Sequence, residues 1–90
     1  MNKILYLTLH RKWFDQILKG IKKVEYRDRK KYWTDRLFNK DGSVKLYDSI
    51  LFINGYGLDR PMIKVEFLGV MEKDNKYEIL LGKVLEVINV

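Results

Sequence analysis

The sequence predicts an α+β domain: a small, curled or closed antiparallel or mixed β-barrel of about five to six strands, with two helices in its N-terminal half. Three observations carry this. Helical periodicity occurs only twice, both times before residue 40. The later half reads as strand after strand, separated by glycine-rich or polar turns. Ninety residues that are 47% hydrophobic and 13% aromatic, with a single proline, suffice for one domain with a real core. A ferredoxin-like sandwich, the main competing arrangement, would place its second helix later in the chain.

Residues 3–9 read as a strand. Apolar side chains stand at both parities, Ile4 and Tyr6 on one side and Leu5, Leu7 and Leu9 on the other, so both faces are expected to be covered. Residues 10–19 read as a helix with a buried stripe of Phe14, Ile17, Leu18 and Ile21. Thr8 or His10 could cap its start, and Gly20 is a suitable left-handed stop. Residues 22–29 alternate. Val24 and Tyr26 share one face, expected to be the inner one; Glu25, Arg27 and Arg29 share the other. Residues 30–38 form a second helix with Trp33, Leu37 and Phe38 turned inward.

Residues 39–43 are a turn cluster. Residues 48–54 are a strand, apolar on both faces. Residues 55–61 form a loop rich in glycine. Residues 62–70 are a strand with a bulge at Gly69. Within it, Glu66 shares a face with Lys64 and is read first as part of a cross-strand ion pair and second as a cleft acid. Residues 72–76 are a polar turn. Residues 77–81 and 83–90 are either two strands or one long strand bent at Gly82.

Composition excludes several kinds of chemistry. There is no cysteine, so disulfides, thiolate metal sites and a cysteine nucleophile are absent. His10 is the only histidine, which rules out a multi-histidine metal centre. No metal and no cofactor are expected. No run of about 18 apolar residues offers a membrane span. The first ten residues alternate and lack a small-residue cleavage site, so no signal peptide is expected and the location is read as cytoplasmic.

The net charge is +6. Residues 19–40 hold nine basic residues against three acids and carry the whole excess. Tyr26, Tyr32 and Trp33 are interleaved with them. Focused positive charge with aromatic rings is the footprint of a polyanion binder.

Within that stretch, Gly20, Lys22, Glu25 and Arg27 form a G-x-K-x-x-E-x-R pattern. It resembles the signature of the ASCH domain family of the PUA-like superfamily, in its small single-domain bacterial or phage type. The context agrees along nearly the whole chain: an opening Leu-Tyr-Leu-Thr-Leu strand, the segment 13–20, the segment 47–56, and Val65-Glu66-Phe67. The resemblance implies a PUA-like β-barrel whose cleft is lined by the signature residues, with RNA or a nucleotide as ligand. Some members are similar in fold to an amidohydrolase acting on N4-acetylcytidine. There the signature lysine activates a threonine where this chain has Glu25, and the catalytic carboxylate comes from an inserted helical segment near the later strands. This chain has only the short turn of residues 71–76 for such an insertion, and both departures weigh against that reaction. A ribonuclease activity is also associated with some members; its residues are not carried over to this chain.

The candidate ligand-binding residues are Lys22, Glu25, Arg27, Arg29, Trp13, Asn54 and Tyr56. Arg27 offers a planar fork to phosphate or a base edge. Glu25 could accept from an exocyclic amine. Trp13 lies one position before the inward Phe14 and is placed at the cleft rim. Asn54 suits base-edge reading, or else a local turn. Arg29 suits a phosphate contact. A plain Glu25–Arg27 or Glu25–Arg29 ion pair that orders the strand is the competing account. Strict alternation sets Lys22 opposite Glu25, so its place in the cleft is carried over from the family and requires it to precede the regular strand. If the protein is an enzyme, a small hydrolase acting on a modified nucleoside or RNA, Lys22 and Glu25 are its expected acid–base groups.

Overall fold

The structure, a computed structural model, describes residues 3–90. Its elements are β1 (Ile4–Thr8), α1 (Arg11–Leu18), β2 (Val24–Asp28), α2 (Lys31–Leu37), β3 (Ser49–Ile53), β4 (Met62–Lys73) and β5 (Lys76–Ile88). The strands form one mixed sheet in the order β1-β3-β4-β5-β2. β1 runs parallel to β3, and every other pairing is antiparallel. The sheet curls into a half-barrel and does not close. Its two edge strands, β1 and β2, meet across a seam where Arg27 Nη2 donates to Thr8 O at 3.3 Å.

Bulges produce the curl. The β4–β5 register shifts three times between Lys64 and Gly69. Gly69 takes φ 133°, a left-handed conformation costly for residues with a Cβ. Each bulge bends the strand and increases its twist. The bulge also resets the alternation: Val65, Phe67 and then Val70 all pack on the core. The final segments are one strand running through Gly82. Glu66 lies over that glycine, where an added Cβ would stand 2.2 Å from Glu66 Oε1. Among the described residues Glu66 forms no ion pair, and it does not line the cleft.

Cross-strand rows build the core. Leu5, Ile50 and Val65 form one row, and Leu7, Phe52 and Ile63 the next; all six are buried. β3, between two partners, is covered on both faces as its pattern predicts. β1 is not. Leu5, Leu7 and Leu9 are buried, but Tyr6 is exposed because nothing covers the outer face of this edge strand. α1 adds Phe14 and Ile17 to the core. Ile21 falls outside that stripe and is exposed, since the chain has already turned at Gly20. α2 contributes Leu37, with Trp33 and Phe38 packed at the margin. The hydroxyls of Thr34 and Tyr77, 2.6 Å apart, tie α2 to β5.

β4 and β5 are joined by a two-residue turn at Asp74 and Asn75, with Asp74 at φ 56°. No inserted helical segment is present between them. No helix of the described residues is long and apolar enough to cross a membrane.

Candidate functional site

The cross-strand row Val70–Ile79–Glu25 puts a carboxylate on the core-facing side of β2. Glu25 is only 6% exposed. This reverses the expected facing of the strand: Tyr26 is half exposed, and Glu25 and Arg27 point inward. Burying an ion is costly unless it is paired. Here each carboxylate oxygen holds one cation. Lys22 Nζ lies 3.2 Å from Oε1, and Arg27 Nη2 lies 2.5 Å from Oε2.

Gly20 explains how Lys22 reaches this place. Its φ of 75° stops α1. The chain then folds back over the last turn, with Ile21 N and Lys22 N both donating to Gln16 O at 2.9 and 3.1 Å. Lys22 therefore precedes the regular strand, and alternation does not govern its direction. Lys23 is the exposed neighbour.

Aromatic rings hold the two cations from the other side. Lys22 Nζ is 5.1 Å from the Trp13 ring centre and 5.3 Å from that of Tyr26. Arg27 lies 4.9 Å over Trp33. Such contacts strengthen as water is excluded. Arg27 Nε is buried and without a hydrogen-bond partner. The trio leaves one excess positive charge at the seam.

A pocket of about 430 Å³ opens there. The end of β1 and the start of α1 supply one wall with Thr8, His10 and Trp13; Lys22, Glu25, Tyr26 and Arg27 supply the other. Its volume is in the range of small-ligand sites. His10 is the N-cap residue of α1 by position, but its imidazole makes no capping bond and lines the pocket instead.

The structure thus brings together Trp13, Lys22, Glu25 and Arg27. Asn54 and Tyr56 line a neighbouring hollow of about 360 Å³, which shares Thr8 and His10 with the first. Asn54 Nδ2 is committed to Leu9 O at 3.0 Å. Arg29 is not in the cleft. β2 ends at Asp28, and Arg29 turns to the β4–β5 hairpin, where it donates to Asp74 O and lies 3.8 Å from Glu72. Tyr26 and His10 belong to the pocket although sequence reasoning did not place them there. Strand alternation puts Tyr26 inward with Val24. The concentration of charge on the opposite face was the available signal.

No protein-family model, curated protein or solved structure matches this chain.

Proposed function

We propose that the chain is an RNA- or nucleotide-binding domain of the PUA-like, ASCH type, and that the seam pocket receives a base together with its phosphate. The observation that carries this reading is a buried Glu25 held by the partly buried Lys22 and Arg27, opening on a cavity flanked by two aromatic rings. The excess positive charge suits a phosphate. Trp13 and Tyr26, both partly exposed, suit stacking on a base, with each stack contributing about 1–3 kcal/mol.

The test is titration with nucleotides and short RNAs at low salt, repeated as salt rises. Binding should weaken with salt as counterions are released. Trp13→Ala, at the rim, should weaken binding by about 5- to 150-fold while leaving the fold intact. No binding at low salt, or a Trp13→Ala variant that binds as the parent does, would overturn the reading.

A hydrolase acting on a modified nucleoside rests on one observation, the direct Lys22–Glu25 contact. Binding is favoured because both oxygens of Glu25 are already engaged by cations. Turnover of acetylated cytidine or of RNA by the parent protein, lost in Lys22→Ala, would reverse that preference.

A further inference from the structure

The pocket is one end of a longer feature. Arg27 lies 4.9 Å over the Trp33 ring. Trp33 meets the Tyr32 ring edge-on, with centroids 4.8 Å apart. Arg36 lies 4.2 Å over the far ring, Tyr32. Cation, ring, ring and cation follow one another without a gap, from the seam onto the outer side of α2. Tyr32 is 56% exposed.

The other side of α2 differs. There Lys31 pairs with Asp35 at 2.6 Å, and Lys45 Nζ donates to Asp35 O. That side holds the one carboxylate of α2. Among the described residues no carboxylate lies within ion-pair distance of Arg36. A helix kept only for packing gains from a carboxylate one turn away from its arginine. Here the residue one turn away is Tyr32, whose exposed ring orients the guanidinium and leaves its charge uncompensated.

We infer that this ladder is a binding track, and that the natural ligand is single-stranded RNA rather than a lone nucleotide. The inference rests on the proposed function of the pocket and extends it. One nucleotide occupies the seam beside Lys22 and Arg27. The strand continues over α2, where the exposed Tyr32 ring stacks on a later base and Arg36 meets a phosphate. Rings flanked by guanidinium groups suit an unpaired strand, because a duplex keeps its bases stacked on each other and offers no free faces.

The experiment compares three RNA probes at low salt: a nucleoside monophosphate, an unstructured oligoribonucleotide of about eight nucleotides, and a duplex of the same length. Each is titrated against the parent chain, Tyr32→Ala and Arg36→Ala, with thermal melts to show that the variants fold. The single strand should bind at least about tenfold tighter than the monophosphate, and tighter than the duplex. Each substitution should weaken the single strand by about fivefold or more and leave the monophosphate unchanged. Equal affinity for monophosphate and single strand overturns the track while sparing the pocket. So do α2 variants that bind the single strand as the parent does. A duplex bound as tightly as the single strand reduces the track to a charged surface. Failure of all three probes overturns both track and pocket.

Discussion

Two ion clusters share strand β2, and their surroundings set them apart. The inner one joins Glu25 to Lys22 and Arg27, with side chains 8%, 11% and 19% exposed. The outer one joins Asp28 to Lys76 and Lys30, with side chains 49%, 54% and 73% exposed. The residue types are nearly the same. The inner charges have given up water and must be held by one another, so their geometry is fixed before any ligand arrives. The outer charges keep their hydration and need no partner. Preorganised charge beside a cavity is what a binding site requires, and only the inner cluster has it.

Removing the inner carboxylate should produce the largest effect. Glu25→Ala leaves two cations facing each other with little water, and should cost about 3–5 kcal/mol. In a domain of this size that lowers Tm by on the order of 12–40 °C. Chemical denaturation measures it directly. Pairing Glu25→Ala with Lys22→Met should recover part of the loss, because the two residues act through one another. A cost below about 1 kcal/mol, or strictly additive losses, would place the inner cluster beside the outer one and end the contrast.

An intermediate case lies between the clusters. Tyr77 is the register partner of Arg27 and is 4% exposed. Its hydroxyl bonds to Thr34 on α2. Thr34→Val keeps the shape and removes the bond, which should cost about 1 kcal/mol. An unchanged urea midpoint would mean that this bond does not help to hold α2.

The sequence made most of the elements legible, because periods of 3.6 and 2 are local properties. Both helices and the opening strands lie within about two residues of their predicted bounds. The bulge at Gly69 and the stop at Gly20 were legible too, since each depends on a conformation that glycine adopts without cost. Facing was not. Which side of β1 or β2 turns inward depends on the curl of the sheet and on which strands end at its edges, and neither is written in a single strand. The alternation therefore puts Tyr26 in the core and Glu25 on the opposite, cleft-lining face. Lys22 was placed by its pattern with Gly20, and the fold-back onto Gln16 supplies the physical reason. Arg29 and Asn54 show the converse. Arg29 is two positions from Arg27 and Asn54 directly follows β3 beside the pocket, yet both spend donors on backbone carbonyls.

The smallest effect is expected at the outer cluster, and pH exposes it. A hydrogen bond from Lys76 and its charge, with Lys30 adding to them, hold the Asp28 carboxyl below its ordinary value of 3.8. The folded chain therefore favours the ionised form more than the unfolded chain does. That contribution is present above about pH 4 and fades as pH falls through the depressed value. At neutral pH, Asp28→Asn should leave the urea midpoint nearly unchanged, because both partners are well exposed. Below about pH 4 the variant should lose stability slightly less steeply than the parent. In about 1 M salt, where the screening length is about 3 Å, the two should coincide. The loss from Glu25→Ala should persist in that salt, since little solvent reaches the inner charges. If salt erased both losses alike, burial would not be what separates the two clusters, and the inner set would be a surface ion pair with no special claim to a ligand.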